Sequence, residues 1–141
     1  MSDLDDIAAA LARQLGSIAG LNAIDVWPDA VSLPMAMVDG PTDGDYEQAF
    51  GGNAAQYTFE VSVVVEVPAR RGLETGQRML RPYLSALGPQ SIARALYADQ
   101  TLGGLIDYLR VASFRTVGQV EINDSPNHYL ATLQVLIRTG R

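Results

Sequence analysis

The sequence contains no cysteine and no lysine, and only one histidine and one tryptophan. Without cysteine there are no disulfides, no thiolate metal ligands and no cysteine nucleophiles, and the redox compartment is left open. A single imidazole, His128, excludes metal sites built on two histidines. Charged residues make up 18 % of the chain, below the ~25 % usual for soluble domains, so part of the surface is expected to be covered by a partner. No apolar run approaches the ~18 residues of a membrane span. The opening MSDLDDIA is acidic where a secretory leader begins basic, and a soluble, unexported chain is expected.

What is present is 141 residues, 48 % of them hydrophobic, which suits one domain spanning residues 1–141. At that size roughly 65–70 % of the unfolded surface can be buried, enough for a core without staples. The net charge is −6, and it is unevenly divided. Residues 1–66 carry about −10, with Arg13 the only cation, while residues 67–141 carry about +4 and nine of the ten arginines. A net negative chain does not suit phosphate-backbone binding, which needs clustered cations. Unlike charge on two parts of one small domain suits head-to-tail self-association.

Leu4, Ile7, Ala8, Leu11, Leu15 and Ile18 recur at helical spacing, with Ser2 as a cap, Asp5 and Asp6 in the first turn and Gly20 as the stop. Two short extended pieces follow, Asn22–Trp27 and Leu33–Val38, whose Pro28 and Pro34 suit edge strands. From Asp39 to Gln56 turn-forming residues dominate and no period survives, which predicts a long loop of functional character. Its acids Asp39, Asp43, Asp45 and Glu47 and its aromatics Tyr46 and Phe50 are candidate contact residues.

From Tyr57 to Val67 apolar and polar residues alternate, predicting a strand with Tyr57, Phe59, Val61, Val63, Val65 and Val67 on the buried face. The run Leu73–Leu87 has helical spacing, with Leu80, Tyr83, Leu84 and Leu87 against the sheet and Pro82 expected to kink or divide it. Ser91–Ala98 reads as a shorter helix with Ile92, Ala95 and Leu96 inward. Leu105–Glu121 and His128–Arg138 read as a β-hairpin around a turn at residues 123–127, with Tyr129, Ala131, Leu133, Val135 and Ile137 on one face. This order predicts an α+β fold with a largely antiparallel sheet and helices packed on one face.

Chemistry-bearing constellations are scarce. Asp124, Ser125 and His128 are turn neighbours, which do not converge as a triad, and His128 is expected to be solvated. A calcium loop starting at Asp39 would need ligand oxygens where Pro41 and Phe50 stand; one starting at Asp43 meets Gln48 and Ala54 at the glycine and glutamate positions. Neither glycine pair belongs to a phosphate-binding pattern. The residues therefore predict no catalytic, cofactor-binding or metal site. Arg70 and Arg71, with Arg78 and Arg81 further on, are candidate subunit-interface cations able to reach carboxylates of a neighbour.

The order of elements resembles the tail terminator family of long-tailed bacteriophages, also called tail completion or minor tail proteins. The likeness covers nearly the whole chain: the Leu4–Ile18 stripe, Ile24-Asp25-Val26-Trp27-Pro28, the Leu33–Val38 strand, the acid-rich loop, the Tyr57–Val67 strand and the Leu73–Leu87 helix. Ser91-Ile92-Ala93-Arg94-Ala95-Leu96, Asp99-Gln100-Thr101-Leu102-Gly103-Gly104 and a terminal hairpin with His128-Tyr129-Leu130 complete it. The resemblance implies a virion structural protein at the tail–head junction, made in the host cytoplasm and without enzymatic activity, cofactor or membrane partner. It implies a hexameric ring that caps the tail tube, stops its growth and meets neck or head-completion proteins, with DNA passing through unbound. The Asp39–Gln56 segment would then face the lumen or the tube, and an electronegative passage would not retain a polyanion. Other head–tail connector, neck or tail tube subunits, and a small ligand-binding or enzymatic α+β domain, are the alternative readings.

Overall fold

The computed structural model describes residues 3–25, 33–47, 54–67, 72–122 and 125–139. The fold is α+β, as expected: a five-stranded mixed sheet with helices on one face. Helix α1 spans Asp3–Leu15, strand β1 Asn22–Ile24, β2 Met35–Glu47, β3 Ala54–Glu66, α2 Gly72–Leu84, α3 Ile92–Tyr97, β4 Tyr108–Ile122 and β5 Ser125–Thr139. The strand order is β1-β2-β3-β5-β4. Only the β1–β2 pair is parallel.

The two-residue period of β3 is what orients the sheet. Phe59, Val61, Val63, Val65 and Val67 are buried on the helix side, and Tyr57 packs at their margin. The matching β5 positions Tyr129, Ala131, Leu133, Val135 and Ile137 join the same core. Helix α1 contributes Ile7, Ala10, Leu11 and Leu15; α2 contributes Leu80 and Tyr83; α3 contributes Ile92 and Leu96. Each fully buried aliphatic or aromatic side chain stabilises such a core by about 1.5–3 kcal/mol. A hydrogen bond from Gln14 Nε2 to the Ala95 carbonyl, 3.0 Å, ties α1 to α3 across the core's rim.

Several local expectations are corrected. Helix α1 ends at Leu15, five residues before Gly20, and the chain then winds through turns in which Ile18 N–H reaches the Leu15 carbonyl at 3.1 Å. Ser2, offered as its cap, lies outside the described residues. Helix α2 runs through Pro82 undivided and ends two residues later. The proline ring removes the amide that would donate to the Arg78 carbonyl, a cost of about 3 kcal/mol in a helix interior, which the burial of Leu80 and Tyr83 at about 1.5–3 kcal/mol each offsets. Leu87, expected inward, lies past the end of α2 and is 79 % exposed. Strand β1 is an edge strand, but Pro34 does not make β2 one at its start, because residues Met35–Met37 have neighbours on both sides.

The largest correction is the expected Asp39–Gln56 loop. Most of it is a hairpin: β2 continues to Glu47, pairing Asp43 with Thr58, Gly44 with Tyr57, Asp45 with Gln56, Tyr46 with Ala55 and Glu47 with Ala54. Between Asp39 and Asp43 the register breaks at a bulge holding Gly40, Pro41 and Thr42. Gly40 has φ +120°, a conformation open to glycine, and a Cβ there would stand 2.9 Å from the Thr42 nitrogen. The bulge sets three residues opposite Phe59, so the alternation resumes in phase. The period is hidden in the sequence because this arm is built of glycine, proline, threonine and acids rather than alternating apolar residues. Thr42 Oγ1 then donates to the Thr58 carbonyl at 3.2 Å and fastens the bulge to β3.

Candidate functional site at the sheet edges

Helices cover one face of the sheet, so the chemistry of the molecule has to be sought on the other face and along its borders. The side chains of β3 that point away from the helices are Thr58, Glu60, Ser62, Val64 and Glu66. Their partners on β5 are Leu136, Gln134, Thr132, Leu130 and His128. The centre of this face is held by a Ser62–Thr132 hydroxyl pair at 3.3 Å. Towards one end Met35 and Val64 are buried.

His128 also sits at that end and is buried, where sequence reasoning expected a solvated residue. It lies directly across from Glu66, with Nε2 3.8 Å from Oε2, and its side chain is 7 % exposed against 68 % for the glutamate. Its strand neighbours are Glu66 on β3, distant in sequence, and Val120 on β4, across the hairpin, and they place it within the sheet rather than in a turn. Among the described residues, no group of three histidines or carboxylates is placed to hold a metal ion. None of the described helices is long and apolar enough to cross a membrane.

The borders of the sheet are unlike each other. Strand β1 covers β2 only from Met35 to Met37, so among the described residues the outer side of β2 from Val38 to Glu47 has no strand beside it. Asp39, Asp43 and Asp45 are exposed there, and the registers place them on the helix-free face with Glu60. Tyr46 and Glu47 lie at the far end of the strand; Phe50 falls outside the described residues.

The opposite border is β4. It carries Arg110 and Arg115, both exposed, facing the helix-free side opposite Leu136 and Thr132. Among the described residues neither guanidinium makes an ion pair. Three bulges interrupt its register with β5, and Gly118 at φ +105° accommodates one of them. Every residue from Ala112 to Val117 is exposed, including Phe114 at 55 % and Val117 at 47 %. An uncovered edge with large apolar side chains is a pairing surface unless it is blunted. The bulges and arginines of β4 blunt it in part, and Tyr97 does so at Val111, its hydroxyl accepting from Val111 N–H at 2.8 Å.

Of the four arginines expected at an interface, Arg70 and Arg71 lie outside the described residues. Arg78 and Arg81 are exposed on α2. Arg81 lines a groove of about 430 Å³ between α2 and β4, together with Gln77, Leu80, Leu84 and Phe114. Sequence reasoning missed Arg110 and Arg115. The signal it had was the positive balance of the second half; which of those arginines reach a border depends on strand order.

The Asp99–Gly104 turn leads the chain towards β4. The Asp99 carboxylate accepts from Thr101 N–H at 3.3 Å, Thr101 Oγ1 at 3.1 Å and Gly103 N–H at 2.8 Å. The Thr101 hydroxyl bond, with the Gly103 amide next, holds the Asp99 carboxyl below its ordinary value of 3.8.

No protein-family model matches the sequence, and no curated protein is similar to it. Among solved structures, a chain of one described as "Virion of native gene transfer agent (GTA) particle" is similar at 17 % identity. The match covers 94 % of this chain and 86 % of that one, with a TM-score of 0.38.

Proposed function

We propose that this chain is a virion structural protein of the tail terminator kind, whose copies form a ring that caps a tail tube, stops its growth and joins it to the neck. The observation that carries the reading is a sheet left with two open borders of unlike charge, on a chain whose order of elements resembles that family. A subunit of a closed ring needs two different complementary surfaces, and the two borders supply them. In this reading the chain performs no catalytic step and holds no cofactor. Its partners are further copies of itself, a tail tube protein and a neck or head-completion protein. DNA, in this reading, passes through the ring without being bound. Arg81 lines the groove beside the β4 border, where it and Arg78 of the same helix would meet the neighbouring subunit.

Negative-stain images of the purified protein at high concentration, and of purified particles probed with an antibody to it, test the reading. Closed rings and a label at the tail–head junction are expected. Compact monomers or dimers at every concentration, with no label on particles, would overturn it.

A further inference from the structure

We infer that the acidic outer border of β2 in one copy of this chain docks, antiparallel, against the arginine-bearing border of β4 in a second copy. The inference rests on the ring reading above and names the surfaces that would build it. Direction follows from topology. Strand β2 runs opposite to β3, β3 opposite to β5, and β5 opposite to β4, so β2 and β4 point in opposite senses. A second molecule set alongside without being turned over therefore brings its β4 antiparallel to β2 and continues the alternation. The helix-covered faces of the two molecules then lie on the same side.

Charge agrees with this placement. Asp39, Asp43 and Asp45 stand on the helix-free face at one border, and Arg110 and Arg115 stand on that same face at the other. Lateral docking sets the Arg110 guanidinium of one copy level with the Asp43 carboxylate of the next, with Arg115 adding positive charge further along the same border, where like borders would repel. The row through Asp43, Thr58, Leu136 and Arg110 crosses the sheet from acid to cation. The borders also match in form. The Gly40-Pro41-Thr42 bulge lies opposite Phe59, and Phe59 shares a row with Val135 and Val111, beside which β4 carries its own extra residue, Ala112. Both borders depart from regular pairing at one level. An incoming strand would also cover Phe114, whose row ends at Val38 on the free part of β2, giving the contact an apolar part.

Exchanging the charges tests this directly, because all four substituted side chains are exposed. The variants are Arg110→Glu with Arg115→Glu, Asp43→Arg with Asp45→Arg, and all four substitutions together. Sedimentation velocity reads the assembly and thermal melting checks the fold. Each double variant is expected to lose the oligomer, and the fourfold variant, whose borders are again unlike, to regain it. The milder pair Arg110→Gln and Arg115→Gln should fold in any case, and is expected to weaken assembly and flatten its dependence on salt. If wild-type rings form and the exchanged or neutral pairs assemble just as well, or the fourfold variant stays dissociated, the border docking is wrong while the ring reading stands. If the wild-type chain never assembles and is absent from particles, both fall.

Discussion

The buried ring of Tyr129 on β5 lies against the backbone of Gly76 on α2. A Cβ built on that glycine would stand 2.3 Å from the tyrosine Cγ and 2.4 Å from Cδ2. The helix can approach the sheet this closely because the residue at the crossing has no side chain. In an unconstrained helix, alanine would be better than glycine by about 1 kcal/mol. Here the contact dominates: Gly76→Ala is expected to destabilise by roughly 1–3 kcal/mol through overpacking. In a Tyr129→Ala background the same change should cost little or stabilise, and a double-mutant cycle of denaturant melts reads the difference.

A second expectation concerns Ser91, the buried cap of α3. Its Oγ accepts from Arg94 N–H at 3.1 Å and donates to the Ser85 carbonyl, so one hydroxyl starts α3 and ties down the chain that follows α2. Ser91→Ala removes both bonds and should lower stability by about 1–2 kcal/mol, seen as a lower melting temperature.

The core face of β3 can be tested at Val63, which is fully buried between helices and sheet. Val63→Asp places a carboxylate there without a partner and should cost on the order of 4 kcal/mol. Wild-type thermal stability for that variant would mean the other face is inward.

Asp99 gives a pH dependence whose sign is fixed. Its carboxyl is held below the ordinary carboxylate value chiefly by the Thr101 hydroxyl and then by the Gly103 amide. A group depressed in the folded state stabilises above its unfolded value, and that contribution is lost as pH falls through the folded one. Asp99→Asn should therefore lower stability slightly near neutrality and remove a component of acid sensitivity that appears only below the ordinary carboxylate range. Thermal melts of both proteins between roughly pH 6 and pH 2 would show the two curves converging on the acid side.

Amide exchange on the free protein examines the β2–β3 hairpin. Residues 43–47 pair with β3 and should exchange more slowly than an unpaired segment would. Fast exchange across all of them would restore the loop expected from sequence.

The legible parts of this fold were those written in side-chain periodicity. The alternation of β3, the stripe of α1 and the apolar face of β5 can be read directly, because burial selects those residues one by one. The hairpin arm at Asp43–Glu47 could not be, since its pairing is made by backbone groups and its exposed residues carry no apolar alternation. His128 stands in the sheet across from Glu66, far away in sequence, so its place there could not be read from the turn residues beside it. Gly76 carries no local mark, its reason being a tyrosine on another strand. Of the candidate site, the separation of charge was visible as a difference between halves of the chain. Its arrangement into two borders was not, because that follows from β5 inserting between β3 and β4.

The bulges on β2 and β4 bear on how many copies an assembly contains. A head-to-tail contact repeated between straight, flat units has no reason to stop and yields a ribbon of indefinite length. Bulges bend a strand and add right-handed twist, and here they bend both borders at one level. In the border docking inferred above, each added subunit would be turned by a fixed angle from the last, so that the chain of contacts could return to its start after a set number of steps. Backbone irregularity at Gly40–Thr42, Ala112 and Gly118 would in this way act as a counting device, separating a finite ring from open-ended polymer.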